Sequence, residues 1–360
     1  MSQHKDEYSS GENADFSDLD LDPETGRLSA IAPEGESEQI AISLEALEQE
    51  AEPATMLNAD RLLHDEARPR VVPETFWRRA LYKGTFGKLN LGDNKKVLAR
   101  RSLDARINSK IVGGTKFVPV LTRKGGVGKT TITALIGMAM STVREDRILA
   151  IDANPDRGTL AERVDTKTDK TVRDVVKRAG GINSFSIFTD FVSRDKTRLD
   201  VLASDTDPML SEAFDEGDYN VVADIASRYY SLCLTDCGTG IVHSVMRAIL
   251  MRADGLVVVS GGSVDEAKLA SETLTWLESN GYGDLVSKTI VALNTATYGT
   301  QLVKLDEIEA HFKTRVRAVV RVPYDPMLAA GAQIQFDKLH PATRQAARDL
   351  AALVVDGLAD

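Results

Sequence analysis

Cysteine is scarce in this sequence, which contains only Cys233 and Cys237 among 360 residues. They lie four apart in a predicted strand and its following turn, a spacing that suits neither a structural disulfide nor a zinc site, so we predict that both pack in the interior. The sequence also lacks a run of about 18 apolar residues and a basic-then-apolar N-terminal segment. We therefore expect no transmembrane helix and no secretory signal, and a location in the cytoplasm. Hydrophobic residues make up 42% of the chain, enough for a sizeable core.

The net charge of −10 is distributed unevenly. Residues 1–70 contain 18 Asp and Glu but only 5 Lys and Arg, with little sustained apolar periodicity. Such a segment buries too little apolar surface to offset the entropy of ordering it, so we predict that residues 1–72 form a disordered acidic tail. Ile40–Glu50 could form a transient helix that binds a partner; a purely solubilising tail is the alternative.

Basic and aromatic residues dominate the next segment, which we assign to a linker at residues 73–115. Between residues 76 and 116 there are 11 Lys and Arg against two acidic residues. Aromatic residues are interleaved with the first of the basic residues, in FWRRALYKGTFGKLNLG. Candidate partners are nucleic acid, an anionic membrane surface, an acidic protein and the acidic tail of the same chain. The alternative is that Trp77 and Phe86 pack on the following domain, with the basic groups in solvent.

The chain is organised around residues 117–131, which read FVPVLTRKGGVGKTT. An apolar run, Phe117–Leu121, leads into a glycine-rich turn and then a helix-like stretch, Ile132–Met140, the order typical of a phosphate-binding loop. The glycines allow positive φ and bring backbone N–H groups close to phosphate oxygens, and the helix adds its own free N–H groups. We expect Lys129 to contact the β- and γ-phosphates and the Thr130 hydroxyl to bind Mg²⁺. The predicted ATP-binding residues of this stretch are Gly125, Gly126, Val127, Gly128, Lys129, Thr130 and Thr131.

Acidic residues end two further predicted strands. Asp152 follows Arg147–Ile151 and is placed to hold Mg²⁺ and its water or to orient a nucleophile. Asp236 ends Tyr230–Asp236, and the spacing D-x-x-x-G to Gly240 fits a metal-side acid followed by a glycine that senses the γ-phosphate. The alternative role for Asp236 is a cap of the following helix.

Strands and helices alternate through residues 116–360, which we predict to be one domain. Further strands are predicted at Leu199–Ala203, Gly255–Ser260, Thr289–Asn294 and Ala318–Val322, and helices at Thr171–Arg178, Asp265–Ser279, Gln301–Phe312 and Ala342–Leu358. This alternation predicts an α/β fold with a doubly wound, mainly parallel sheet and helices on both faces. Ligands of such sheets bind beyond the carboxyl ends of the strands, where Asn294 and Pro323 also fall.

One position departs from the usual phosphate loop, because Arg123 replaces the expected glycine and a second lysine, Lys124, follows it. With its KGGVGKTT stretch, the sequence resembles the ParA/MinD family of P-loop ATPases, which carry a deviant Walker A motif. The resemblance implies an ATP-dependent homodimer in which Lys124 reaches the partner's phosphates. It also implies that Asn294 and the stretch after Val322-Pro323 contact adenine, although asparagine here is equally typical of a turn.

The family usually has D-x-D at the end of the second strand, with the second acid positioning the attacking water. This chain has Asn154 there, and an amide binds water without usefully accepting a proton, so either Asp156 substitutes or hydrolysis is slow. The candidate catalytic residues are Lys124, Lys129, Asp152, Asn154 and Asp156. The candidate metal ligands are Thr130, Asp152 and Asp236.

The basic and aromatic block narrows the resemblance to the MinD/ParA-like proteins of actinobacterial type VII (ESX) secretion systems, which implies a regulatory ATPase with a secretion component as partner. MinD-type proteins end in a basic membrane-binding helix, whereas residues 342–360 end without a lysine cluster, so we predict no such anchor. Two other interpretations stay open. One is a DNA-partitioning ParA-type ATPase that binds nonspecific DNA, and the other is a non-hydrolysing nucleotide-binding adaptor, which Asn154 supports.

Overall fold

The computed structural model describes residues 95–154, 158–164, 168–205, 214–295 and 303–359, together with two short strands near the N-terminus. The chain divides into two compact units, Met1–Val72 and Pro73–Asp360. In the first unit, β1 (Asp20–Leu21) and β2 (Leu28–Ser29) pair antiparallel. The rest of the predicted acidic tail lies outside the described residues, so its disorder stays a prediction.

The second unit is built on an eight-stranded sheet. Its strands are β3 (Lys116–Leu121), β4 (Ile148–Ala153), β5 (Ser193–Arg194), β6 (Asp200–Leu202), β7 (Leu232–Cys237), β8 (Val257–Gly261), β9 (Ile290–Asn294) and β10 (Ala318–Val322). They lie in the order β10-β9-β8-β3-β7-β4-β6-β5, and all neighbours are parallel except β5 and β6. The predicted mainly parallel α/β fold is therefore confirmed.

Helices connect these strands and lie on both faces of the sheet. They are α1 (Lys95–Ile107), α2 (Lys129–Val143), α3 (Val172–Lys177), α4 (Phe185–Phe188), α5 (Glu216–Ala226), α6 (Ser244–Met251), α7 (Val264–Ser279), α8 (Gly283–Ser287), α9 (Leu305–Lys313), α10 (Pro326–Ala329) and α11 (Pro341–Ala359). Among the helices that the structure describes, none has the length and apolarity needed to span a bilayer.

Two hydrophobic clusters, one on each face, form the core. Successive residues of a strand point to opposite faces, so Val118 and Val120 of β3 join the cluster that contains α2 and α11, while Phe117 and Leu121 join the other. The strands are buried on both faces and are accordingly rich in apolar residues, as parallel strands usually are. Cys233 and Cys237 are buried in the second cluster, in agreement with the packing role predicted for them.

Helix α1 lies within the segment predicted to be a linker, yet it packs against the domain. Leu103 and Ile107 are buried in the first cluster with α11. The Arg106 guanidinium donates to Asp356 of α11 at 3.1 Å, and buried Arg144 donates to the carbonyls of Ile107 at 2.6 Å and Ser109 at 2.9 Å. The folded domain therefore includes at least one helix upstream of residue 116, whereas Trp77 and Phe86 lie outside the described residues.

Helix α11 buries its apolar face. Leu350, Val354 and Val355 lie in the first cluster, and Leu358 is 9% exposed. The apolar surface of this helix is thus used in the core.

Candidate nucleotide-binding site

The loop between β3 and α2 has the backbone expected of a phosphate-binding loop at two of its three glycines. Gly126 and Gly128 have φ of 79° and 98°, in the region that favours glycine, whereas Gly125 does not have a positive φ. Helix α2 begins immediately after Gly128, and its first backbone bond runs from Ile132 N to Gly128 O at 2.9 Å. The free N–H groups of this helix start therefore point into the loop, where an anion would be stabilised.

Gly128 has a second constraint, because the end of β9 lies directly against it. The Asn294 amide nitrogen donates to the Val127 carbonyl at 2.7 Å, and a Cβ on Gly128 would lie 2.4 Å from that nitrogen. Asn294 thus holds the loop from the neighbouring strand end. This bond uses one of the two N–H donors of the amide, and the side-chain carbonyl oxygen can accept a hydrogen bond from a ligand.

The first residues of α2 place polar groups in a largely buried setting. Lys129 is only 8% exposed, which is rare for a lysine without a specific partner. Thr131 is equally buried, and the Thr130 hydroxyl lies 3.5 Å from the hydroxyl of Thr159 in the loop after β4. The side chains predicted to meet phosphate and metal therefore lie beside the strand ends that carry the two acidic residues.

Asp152 and Asp236 lie side by side at the carboxyl ends of β4 and β7. They are partners in the parallel register and are 0% and 1% exposed. Burial raises the pKa of Asp236 to about 6, an effect opposed by the nearby Thr130 hydroxyl and Lys129 ammonium. Burial and the charge of Asp236 together raise the pKa of Asp152 to about 7. Asp152 lies within β4, slightly inside the strand end that the sequence suggested.

The two carboxylates differ in their hydrogen bonds. Asp152 accepts from the backbone N–H groups of Asn154 at 3.2 Å and Leu160 at 3.0 Å, so it organises the loop that follows it. Neither carboxylate oxygen of Asp236 has a hydrogen-bond partner among the residues that the structure describes. Buried, unsatisfied carboxylate oxygens are unusual and are the ligands that Mg²⁺ prefers, so the Asp236 side chain fits a metal ligand.

The loop after β4 is held close to Asp152. A Cβ on Gly158 would lie 2.7 Å from Asp152 Oδ2, and the Ser204 hydroxyl donates to the Asn154 carbonyl at 3.3 Å. Asn154 is therefore next to the acidic pair through its backbone. Asp156 lies outside the described residues, so its predicted catalytic role stays a prediction.

Lys124 and Gly240 lie at the edge of the site. The Lys124 ammonium is 3.9 Å from the Glu266 carboxylate of the same chain, and its side chain is 37% exposed. Glu266 also accepts from Ser263 N at 3.0 Å, as part of the capping box that starts α7. Gly240 is exposed in the loop between β7 and α6.

A cavity of about 290 Å³ opens beside the loop and joins residues from distant parts of the chain. The predicted site residues that line it are Gly126, Gly128, Thr131, Asn294 and Pro323. Residues that the sequence did not single out also line it, among them Arg163, Asp325 and Gly331. The cavity has the position expected for the base and sugar of a nucleotide whose phosphates lie in the loop.

Arg163 connects two walls of this cavity. Its carbonyl accepts from Ile334 N at 2.9 Å and its guanidinium reaches the Ala332 carbonyl at 3.5 Å. Its charge also opposes the burial-driven rise in the pKa of Asp236. No local motif marks this arginine, which lies eleven residues after Asp152 and reaches the site only through the fold.

Asp325 supports the same wall. Its carboxylate accepts from Met327 N at 3.0 Å and His340 N at 2.9 Å, so it holds α10 and the start of α11 together. Asp followed by Pro326 is a recognisable helix start, and that signal could have identified Asp325 from the sequence.

These features define a nucleotide-binding domain, and the comparison with known proteins agrees. Residues 118–331 match the family described as "CobQ/CobB/MinD/ParA nucleotide binding domain", and the chain belongs to this family. The fold is that of a ParA family ATPase from Chlorobium tepidum TLS, with a TM-score of 0.56 and 20% identity over 66% of this chain and 98% of that one. The same fold is found in the cell division ATPase MinD from Pyrococcus furiosus, with a TM-score of 0.52 and 21% identity over 66% of this chain and 98% of MinD.

A relative with higher sequence identity is the ESX-1 secretion-associated protein EspI of Mycobacterium tuberculosis. The two sequences are 35% identical over 289 residues, which cover 80% of this chain and 43% of EspI. The chain therefore spans less than half the length of this relative. The predicted resemblance to the ParA/MinD family, and to proteins associated with ESX secretion, is confirmed.

Proposed function

We propose that this protein is an ATP- and Mg²⁺-dependent switch of the ParA/MinD type that acts in the cytoplasm. The observation that carries the proposal is the pair of buried carboxylates, Asp152 and Asp236, beside the start of α2 and the nearly buried Lys129. Two adjacent carboxylates are unfavourable by themselves, and a divalent cation with a bound triphosphate would relieve them.

The bound metal would neutralise phosphate charge, and Thr130 and Asp236 are the residues that would hold it, with Asp152 beside them. Lys129 and the N–H groups of Gly126 and Gly128 would bind the phosphates. Asn294 would present its free carbonyl oxygen to the base. An amino group on the base, such as the N6 amino group of adenine, suits that oxygen.

A homodimer is the proposed active state, because Lys124 lies at the rim of the site with more than a third of its side chain exposed. In the single chain its ammonium faces Glu266, and in an ATP-bound dimer it would transfer to the partner's phosphates. The output would be a change in affinity for a protein partner. The similarity to EspI supports a secretion-system component as that partner.

A non-hydrolysing adaptor is the second candidate, and Asn154 favours it. Its backbone N–H is bound to Asp152 and its side chain is an amide, so it offers no proton acceptor to an attacking water. DNA partitioning receives less support. The basic residues near the edge strand β10 are engaged with acidic ones, since Lys313 contacts Glu309 at 2.6 Å and Arg315 contacts Glu278 at 2.7 Å.

Calorimetry with ATP and Mg²⁺ on the wild type and on Lys129→Ala tests the proposal, together with sedimentation analysis of the ATP-loaded protein. We expect the wild type to bind ATP and dimerise, and the variant to lose most of its affinity. A wild-type protein that ignores millimolar ATP, or that stays monomeric when loaded, would contradict the proposal. Phosphate release then separates the hydrolysing switch from the adaptor.

A further inference from the structure

A second cavity, of about 460 Å³, lies between α3 and α4, on elements separate from the phosphate loop. Three basic side chains line it, Lys170, Lys177 and Arg178, together with three apolar ones, Ile182, Ile187 and Phe191. None of these six residues belongs to the candidate nucleotide site.

The basic residues of this cavity have little local compensation. Lys177 and Arg178 are exposed, and neither forms an ion pair with any residue in the described part of the chain. The Lys170 ammonium forms one ion pair among the described residues, with the Asp169 carboxylate at 4.0 Å, and the Asp169 side chain is 96% exposed. Among the described residues of the lining, Asp190 is the one that is acidic. The rim therefore carries net positive charge, which would attract an acidic ligand.

The apolar part of the cavity indicates that its ligand has an apolar group as well as negative charge. Ile182 and Phe191 are buried, whereas Ile187 is 37% exposed and is among the few large apolar side chains in the described residues that face solvent. Lysine and arginine beside an apolar depression suit a peptide in which acidic residues flank an apolar side chain. Nucleic acid would use the charges but not the depression.

Hydrogen bonds link this cavity to the loop after β4. The Val172 N–H at the start of α3 donates to the Ala203 carbonyl at 2.8 Å. The next residue, Ser204, donates from its hydroxyl to the Asn154 carbonyl at 3.3 Å. A change in the loop at Asn154 would therefore be transmitted to α3 through one strand end.

We propose that the cavity between α3 and α4 binds an acidic segment of a partner protein, with an apolar side chain of that segment against Ile187. We further propose that its affinity changes when nucleotide occupies the loop site, a coupling that rests on the proposed function. The peptide site itself does not depend on nucleotide binding.

Fluorescence anisotropy on the full chain tests the site with short labelled peptides of repeated Glu-Glu-Leu-Glu, Glu-Glu-Ser-Glu and Lys-Lys-Leu-Lys units. We expect the first to bind best, the second more weakly and the third not at all. The double variant Lys177→Glu/Arg178→Glu and the variant Ile187→Ser should each weaken the first peptide at least about tenfold. Lys288→Glu, an exposed charge reversal beside α8, is the matched control and should leave binding unchanged.

The site is overturned if the Glu-Glu-Leu-Glu peptide fails to bind, if the control variant weakens it as much as the cavity variants, or if a labelled DNA duplex binds there instead. Circular dichroism checks that each variant is folded. Repeating the titration with ATP and Mg²⁺ tests the coupling, for which we expect at least about a threefold change in affinity. An unchanged affinity in a protein that calorimetry shows to bind ATP would overturn the coupling alone, while failure of ATP to bind would count against the proposed function.

Discussion

Asp152 and Asp236 are register partners on adjacent parallel strands, and both carboxylates are buried. Their pKa values are raised to about 7 and about 6, mainly by burial. Groups with a raised folded-state pKa bind more protons in the folded than in the unfolded protein, so stability falls as pH rises from about 4 to about 7. The two buried carboxylates therefore destabilise the fold at neutral pH, and a cation bound between them would relieve this effect.

Asp236→Asn should stabilise the nucleotide-free protein by about 2 kcal/mol at neutral pH, because an amide resembles the neutral form of the carboxyl. Urea denaturation at several pH values measures this. Near pH 4, where both carboxyls of the wild type are protonated, the variant and the wild type should be equally stable. A variant that is less stable than the wild type at pH 7 would show that the buried Asp236 carboxylate does not destabilise the folded protein. Stabilisation by MgATP should be lost in the variant.

Glu266→Gln should strengthen ATP-dependent dimerisation by about twofold to fivefold, since it releases Lys124 from a partly exposed ion pair of modest strength. Glutamine keeps the capping box of α7, because its oxygen can still accept from Ser263 N. Sedimentation velocity across a concentration series is the measurement. Lys124→Ala is the companion variant, expected to bind ATP but to stay monomeric. Weaker dimerisation of Glu266→Gln would indicate that Glu266 itself belongs to the interface.

Gly128→Ala should destabilise the nucleotide-free protein by about 2 to 4 kcal/mol, since its φ is positive and its new Cβ would meet the Asn294 amide. Gly125→Ala is the matched control, because its φ is not positive and a Cβ there has no neighbour within 4 Å among the described residues. Urea midpoints without nucleotide compare the two. Equal urea midpoints for the two variants would mean that the loop accommodates a side chain at residue 128, so that neither its positive φ nor its contact with Asn294 requires glycine.

Arg163→Gln should weaken ATP binding about tenfold, because it removes a cation and loosens the wall at Ala332. Calorimetry measures the affinity, and Arg163→Lys should restore part of it. The matched control is Arg228→Gln, an exposed arginine near the opposite end of the sheet. If both glutamine variants bind ATP like the wild type, Arg163 has only a local structural role.

Asn154→Asp should raise the rate of phosphate release at least about tenfold, because a carboxylate can accept a proton from the attacking water. Single-turnover measurements with saturating ATP report the chemical step, and Asn154→Ala is the comparison that removes the side chain. The bond to Asp152 is donated by the backbone N–H of residue 154, so neither substitution removes the donor. Identical rates for the aspartate and alanine variants would remove position 154 from the mechanism.

The sheet was predictable from the sequence because parallel strands buried on both faces appear as short apolar runs. Such runs identified β8, β9 and β10 to within a few residues. The glycine-rich motif predicted the helix that follows it, although α2 begins at Lys129, three residues before the predicted start at Ile132. Charge obscured α1, whose many basic residues hide the spacing of Leu103 and Ile107 four apart. Strand β5 has two residues and pairs antiparallel with β6, so it leaves almost no periodicity to detect.

Some residues of the candidate site could also be predicted from the sequence, and others could not. Residues that belong to a contiguous motif, such as Lys129 and Gly128, were predictable from spacing alone. Arg163 was not, because it meets the cavity through tertiary contacts with residues more than 160 positions away in the chain. The side-by-side position of Asp152 and Asp236 depends on β4 and β7 being neighbours, which the order of strands along the chain does not specify.

The packing of α1 on α11 determines where the protein can safely be cut. A fragment that begins at residue 116 would remove Leu103 and Ile107 from the cluster that contains Leu350 and Val354, and it would leave Asp356 without Arg106. Buried Arg144 would also lose the carbonyls of Ile107 and Ser109 that accept two of its hydrogen bonds. Fragments intended for biochemistry should therefore begin before Lys95, so that the nucleotide-binding domain is purified with α1, the helix that packs on α11.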